Sequence, residues 1–451
     1  MSGIPAATSA PNEGSRRRGA VRRAGDRQQM VPAGLRRPQL RLDPPMNCRS
    51  RPVLPVVLAA LLASGFVARA ADRIEVVKPA GQRNPTLMLK SFSGGDAVRA
   101  QLLNDLLYSD WFTVVEAGPA DYVLGVVWQE SGNEKSFDME LLDAAGNRLG
   151  RWQQKGTVPT RWLVHAAVDG LIRLAFKNPG FCNTQLAFVR EQGGKKEVYL
   201  SDFDGSQATR LTFNDGLSVE PDWSPDGRQL VYTYYDGTAT QVVLVDLQAQ
   251  RQKRLCSYPG LNCGAAFSND GKRLAMSLSL EDNVELYLRD VGGVQLTRLT
   301  RSKGVEASPC WAPDDRRVCY VSDDAGSSPT LLLLGVGGGQ AERLTRLPEE
   351  AVSPDWSPVS NRIVFATRRG SGYVLAMVDM NEADRTPQVL TNTAGSWESP
   401  SWTADGRHIV CSRREGSEQR LYLVDSFFQR QLPLPAGAGR DSLPSCGPQR
   451  R

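Results

Sequence analysis

Two imidazoles, His165 and His408, are all that this 451-residue sequence offers to chemistry that most often runs on histidine: proton transfer near neutral pH and zinc ligation. Neither has a cysteine or a second histidine beside it. The eight cysteines stand at 48, 182, 256, 263, 310, 319, 411 and 446. No two form a CxxC pair, which excludes zinc ribbons and thioredoxin-like redox motifs. Cys256 and Cys263 are close enough to staple one loop, whereas Cys319 and Cys411 suit small buried positions on strands. A Gly-x-Ser-x-Gly elbow, the strained turn on which α/β-hydrolases mount a nucleophile, does not occur. Asp-Gly pairs at 226, 270 and 405 look like calcium-loop fragments. A calcium site needs six or more converging oxygens, and the same pair suits a tight strand reversal. The sequence therefore names no catalytic residue, no metal-ligating set and no cofactor.

Charge narrows the classes further. The chain is formally +5, yet residues 1–70 hold twelve arginines against three acidic side chains. The remainder is acidic, so a nucleic-acid role has no electrostatic support. Residues 1–45 are rich in Arg, Pro, Gly, Ala and Gln without apolar periodicity, and are expected to be a disordered leader. Translation from Met46 would leave them out of the product. Residues 46–70 read as a secretory signal: Arg49 and Arg51, the apolar run Val53 to Val67, then Ala68-Arg69-Ala70 as a cleavage site. The run is shorter than the ~20 residues that span a bilayer. Cleavage would start the mature chain at Ala71 in the periplasm, with an odd seven cysteines.

The elements that position everything else come from a repeat. Pro221-Asp222-Trp223-Ser224-Pro225-Asp226-Gly227 recurs around Phe267, Trp311, Trp356 and Trp402, so the aromatic anchors fall 44, 44, 45 and 46 residues apart. Such a period with several short strands per unit is the signature of propeller blades. Each turn precedes a β-rich run such as Gln229 to Thr233 or Arg362 to Ala366. A second run and a short outer strand follow. The aromatics are expected between blades rather than as stacking platforms. Residues 185–212 carry three outer strands without an inner one. Leu443-Pro444-Ser445-Cys446-Gly447-Pro448 repeats the motif 44 residues past Trp402. Insertion of this tail into the first blade predicts a six-bladed β-propeller over 179–451, closed by its C-terminal strand with no free sheet edge.

Residues 71–178 read as a separate α/β domain. Strands are expected at Ile74 to Val77, Leu87 to Phe92, Phe112 to Glu116, Tyr122 to Trp128, Ser136 to Leu142 and Asn147 to Gln154. Val98, Leu102, Leu103, Leu106 and Leu107 stripe a helix over Asp96 to Ser109. A last helix runs from Arg161 to Lys177 and stops at Asn178-Pro179-Gly180. His165 on this helix is expected to pair at the domain interface.

This combination of export signal, α/β domain and tail-closed propeller resembles the TolB family, the periplasmic component of the Tol-Pal cell-envelope system. More specific marks are Arg161-Trp162-Leu163-Val164-His165-Ala166-Ala167-Val168-Asp169 and the passage Phe181 to Asp204. Departures are Cys446 in place of the last Trp and Val359-Ser360 in place of one Asp-Gly. The resemblance implies a non-enzymatic, PD40-type scaffold that maintains outer-membrane integrity and invagination during division. It would bind TolA through its first mature strand, here Ala71, Asp72, Arg73, Ile74, Glu75, Val76 and Val77, and the lipoprotein Pal through a propeller face. Leu261, Gly264 and Ala307 align with positions that touch Pal in family members.

Topology agrees on the face, because connections from each outer strand to the next inner strand converge there and loops on a rigid scaffold carry binding. Those connections hold Glu220, Tyr258, Leu261, Asn262, Glu306, Ala307, Ser353, Trp397, Glu398 and Ser399. Two alternatives remain. A propeller that binds peptidoglycan or another glycan would expose Tyr258 and Trp397; a propeller hydrolase or lyase would need converging acids.

Overall fold

The computed structural model describes residues 83–450 apart from 282, 324–327, 345–348, 393 and 436. The expected leader, the signal segment and the Ala71–Val77 strand lie outside the described residues.

The first described unit is a five-stranded sheet with two helices. Strand β1 (Thr86–Ser93), helix α1 (Asp96–Ser109), β2 (Thr113–Val115), β3 (Tyr122–Ser131), β4 (Glu134–Asp143), β5 (Arg148–Gly156) and α2 (Thr160–Phe176) follow in order. The sheet runs β2-β1-β3-β4-β5. Strand β1 is parallel to β2 and β3, so the chain must cross over between them, and α1 is that crossover. Alternation buries Leu124, Val126 and Trp128 of β3 and Phe137, Met139 and Leu141 of β4. Against them α2 lays Leu163, Val164, Ala167, Val168, Leu171 and Ile172, all fully buried. Each large apolar side chain so covered contributes about 1.5–3 kcal/mol. Gly170 is required on this face, since a Cβ there would sit 2.4 Å from the Trp152 indole.

One apolar residue departs from the expected stripe. Leu107 is 53% exposed, and Asp105 faces inward instead. The reason is a partner distant in sequence: Asp105 Oδ2 lies 2.6 Å from His165 Nδ1. His165 Nε2 also lies 3.5 Å from Asp202 of the propeller. Burial works against charge on the ring, but the Asp105 and Asp202 carboxylates outweigh it and raise the imidazole pKa to about 9.

After residue 184 the described strands pair antiparallel, with one parallel residue bridge as the exception. Residues 262–298, 306–343, 351–389 and 396–433 each form a four-stranded sheet. The remaining strands of this region form an eight-stranded sheet, in which the unit 217–256 meets the unit containing 185–210 through a single parallel residue bridge, Lys196 to Leu217. The inner strands carry the repeat motif: Leu217–Trp223, Asn262–Phe267, Glu306–Trp311, Ala351–Trp356, Ser396–Trp402 and Arg440–Cys446. The last of these pairs antiparallel with Gln185–Gln192, from Arg440 opposite Glu191 to Cys446 opposite Leu186. It packs between Ser396–Trp402 and Leu217–Trp223. The residues after it bind the start of the propeller: Arg450 N donates to Asn183 O at 2.8 Å, and Gln449 Nε2 to Pro179 O at 2.7 Å.

Neighbouring sheets share no continuous ladder; packing and two repeated hydrogen bonds join them. At three joints the residue before the anchor position receives the backbone N–H of the next unit's anchor position. Phe267 N donates to Asp222 Oδ2 at 2.8 Å, Trp402 N to Asp355 Oδ2 at 2.6 Å, and Cys446 N to Ser401 Oγ at 3.0 Å. The indoles reach backwards in the same way: Trp311 to Ala266 O, Trp402 to Asp355 O and Trp223 to Ser445 O, at 3.0–3.2 Å. The Asp-Gly pairs make turns, with Asp226, Asp270 and Asp405 accepting from Ser224, Ser268 and Thr403. The Cys256–Cys263 staple does not form. Cys256 Sγ rests 3.4 Å from Met276 Sδ, and all seven described cysteines are free thiols.

Candidate binding face

Each inner strand slips register by a bulge at the same place, between the residues opposite its partner and the Pro-x-aromatic segment. The residue at the bulge is left-handed: Glu220 (φ 54°), Gly264 (60°), Ser308 (51°), Ser353 (51°), Ser399 (51°) and Leu443 (48°). Only one is glycine, and all but Gly264 precede proline, where backbone freedom is already restricted. Each non-glycine position costs on the order of 1–3 kcal/mol, which persists only where surrounding structure over-determines it. Of these bulge positions the sequence names Glu220, Gly264, Ser353 and Ser399 as candidates, and does not name Ser308 or Leu443. The residue before proline in each repeat is the signal that finds all but Gly264.

The side chains named from sequence divide into two groups. Leu261, Gly264, Ala307, Ser353, Glu398 and Ser399 are half-buried and reach the surface. Glu398 accepts from Ser396 Oγ at 2.7 Å and Arg414 Nη2 at 3.1 Å. Glu220 is also half-buried, but it is no solvated loop charge. Its Oε2 accepts from Thr233 Oγ1 at 2.8 Å and from the Gly264 N–H of the next unit at 3.0 Å.

Asn262 and Glu306 lie inside instead. Asn262 Nδ2 donates to the carbonyls of Thr240, Tyr258 and Gly260, so it ties a loop down. Glu306 is 1% exposed and accepts from Ser322 Oγ at 3.0 Å. Burial pushes its carboxyl up, opposed by the Ser302 and Ser322 hydroxyls. Charge reversal there would bury a cation and report on folding, so Glu306 is unsuitable as a binding probe. Trp397 is also fully buried, its ring 5.1 Å from Tyr422, and offers no stacking platform. The Ala71–Val77 segment lies outside the described residues.

Beneath the face sit Asp222 and Asp355, whose carboxyls are pushed up to about 7 by burial, against the backbone N–H groups of Phe267 and Trp402 respectively. The sign follows from linkage. A carboxyl raised above its unfolded value stabilises the fold fully below about pH 4, and that contribution is lost as pH rises through about 7. Both side chains keep some exposure, so the effect of each is about 1–2 kcal/mol. Asp355→Asn is therefore expected to raise the denaturation midpoint relative to wild type at pH 8 and to lose that advantage by pH 5. Parallel pH profiles for the two proteins would contradict this.

A second polar concentration lies where the α/β unit meets the propeller. Trp111 Nε1 donates to Asp405 Oδ2 at 3.0 Å, and Asn178 Nδ2 to Asp405 O at 3.0 Å. Arg407 Nη2 donates to Asn84 Oδ1 at 2.6 Å, and Arg430 pairs with Asp110 at 2.7 Å. On the other side of α2, Asp202 gathers Arg161 and Arg450 at 2.8 and 2.7 Å. Asp169 accepts the N–H groups of Cys182 and Asn183, and burial raises its carboxyl to about 7. Gly180 has to be glycine here, with φ +73° and Asp169 Oδ1 only 2.3 Å from where its Cβ would lie.

Residues 175–450 match the family model described as the TolB beta propeller domain. The chain belongs to the TolB family. It is 26% identical over 206 residues to the Tol-Pal system protein TolB of Chromobacterium violaceum, a match covering 40% of this chain and 48% of that protein. It is 32% identical over 145 residues to the protein of the same name from Syntrophus aciditrophicus, covering 31% and 30%. These matches span about half, or less, of the relatives' lengths. The fold likeness is broader: the crystal structure of TolB from Acinetobacter baumannii superimposes with a TM-score of 0.75 at 23% identity, over 83% of this chain and 99% of that one. Among the described residues of this TolB-family chain, no helix is long and apolar enough to cross a membrane.

Proposed function

We propose that this chain is a periplasmic, non-enzymatic scaffold of the Tol-Pal type, exported by a cleaved signal at residues 46–70. Its propeller is a six-bladed ring latched by the C-terminal strand, following a separate α/β domain over 71–178. The ring's bulged face binds a Pal-type outer-membrane lipoprotein, and residues 71–77 bind a TolA-type protein, in service of envelope integrity during division. The observation that carries this reading is the family match over residues 175–450. The shared bulge geometry supports it, because it presents Leu261, Gly264, Ala307, Ser353, Glu398 and Ser399 from one repeated position or its flanks.

The test is calorimetric titration of the full chain with the soluble domain of the Pal-type lipoprotein from the same host. Leu261→Asp combined with Glu398→Lys is expected to weaken binding ~10-fold or more, a change of about 1.4 kcal/mol, with the melting temperature unchanged. Deleting residues 71–77 should abolish binding of the TolA-type partner and leave the lipoprotein bound. Unchanged affinity in the double variant would place the binding face elsewhere.

A further inference from the structure

At the joint between the unit containing 185–210 and the unit 217–256, Glu197 is the hub. Its Oε1 accepts from Arg210 Nη2 at 2.6 Å and from Asn214 N at 3.0 Å, and its Oε2 accepts from Ser218 Oγ at 3.2 Å. These donors stand 13, 17 and 21 residues further along the chain. Glu285 repeats the arrangement between the sheets 262–298 and 306–343. Its Oε1 accepts from Arg298 Nη2 at 3.0 Å and from Ser302 N at 2.7 Å, again 13 and 17 residues further along. The residue at the third offset, 306 − 285 = 21, is Glu306, so a carboxyl stands where the first joint has a donating hydroxyl. Glu285 is 0% and Glu306 1% exposed. Ser322 Oγ donates to Glu306 Oε1, but neither Oε2 has a hydrogen-bond partner among the described residues.

We propose that Glu285 and Glu306 hold one proton between them in the folded chain, which makes this joint a pH-sensitive clasp beneath the bulged face. Two neighbouring buried carboxyls cannot both ionise unless cations match them. Arg298 is the cation on Glu285, and it is shared with Glu281. From the sheet 306–343 the groups that face the pair are Tyr320 and Asp323, neither of them cationic. Arg301, in the connection between the two sheets, is exposed. Glu306 therefore fills the place of Ser218 only as a neutral acid, since an ionised carboxylate has nothing to donate. Its surroundings agree: burial pushes the Glu306 carboxyl up, the Ser302 and Ser322 hydroxyls oppose this, and the Glu285 and Asp323 carboxylates push it further. A carboxyl raised in this way stabilises the fold fully below its unfolded value, about pH 4, and loses that contribution as pH rises through the folded one. Ala307 and Ser308 follow directly on the bulge, so loss of the proton loosens the strand end that presents them.

The experiment compares the full chain with Glu306→Gln, which keeps the shape and cannot ionise, by thermal melting between pH 4.5 and pH 8. The two should melt alike at the acidic end, and the variant should gain on wild type as the pH rises. Unfolding near pH 6, followed in buffers of different ionisation enthalpy, should release close to one proton more from wild type than from the variant. A Glu285→Gln background separates a shared proton from a merely buried acid. There the same comparison should lose most of its pH dependence, because the competing carboxylate is gone. Should Glu306→Gln fail to fold, Glu306→Ser, which copies the first joint, takes its place. Parallel profiles in the first comparison, equal proton release, or undiminished pH dependence in the Glu285→Gln background would each overturn the proposal. So would a rise in melting temperature on adding Ca2+ at pH 8 that Glu306→Gln abolishes, since a cation rather than a proton would then join the pair.

Discussion

Ending the chain at Pro435 should lower the melting temperature by about 10–20 °C or prevent folding outright, although the residues removed include no large aromatic. The lost strand pairs with Gln185–Gln192 and carries Asp441, which holds Arg190 through two bonds of 2.6 and 2.8 Å. It also accepts the Trp223 indole at Ser445 and leans on Ser401 through Cys446. Each neutral hydrogen bond lost contributes about 1 kcal/mol. Uncovering Leu186, Ala187 and Trp223, all buried, adds several more. The total, about 5 kcal/mol or more, rivals the whole stability of an ordinary domain. At roughly 2–4 °C per kcal/mol for a unit of this size, the quoted shift follows. A synthetic peptide of residues 437–451 added to the truncated chain should restore part of the loss. A truncated chain that melts like the parent would show that the strand is dispensable.

Trp402→Ala is expected to cost about 3–5 kcal/mol, the range for removing a large buried aromatic. Trp402 is 3% exposed and packs with Trp397, Ile409 and Cys411, while its indole N–H and its backbone N–H both end on Asp355. Trp402→Phe separates the two contributions: it keeps most of the apolar area, removes the indole bond to Asp355 O, and should cost about 1–2 kcal/mol. Urea titration of the three proteins checks the order. Equal losses in Phe and Ala would mean that the hydrogen bond, not the packing, dominates the joint.

Much of this architecture was legible because it repeats. An aromatic every 44–46 residues marks the inner strands directly, and the anchors Trp223, Trp311 and Trp402 each bond a neighbouring unit through the indole. The helices were legible from periodicity, and α1 begins and ends where the apolar stripe placed it. What periodicity hides is any position decided by a partner far along the chain. Asp105 turns inward because His165 waits there, and Leu107 is displaced to the surface. Glu306 and Asn262 look like loop residues in sequence, yet each closes hydrogen bonds under the face rather than lying on it. The seam around His408 draws on Asn84, Asp110 and Trp111 from one unit and Arg407 and Asp425 from the other, so no local spacing could announce it.

The pairing of Gln185–Gln192 with Arg440–Cys446 also sets a timetable. One partner leaves the ribosome some 250 residues before the other, as the Arg190–Asp441 separation of 251 shows. Until the final stretch emerges, every nascent molecule carries an unpartnered β edge, a template for pairing with another chain. Such distant closure is intrinsically slow. Any delay between the emergence of the two strands therefore lengthens the time for which that edge stays open to misassembly.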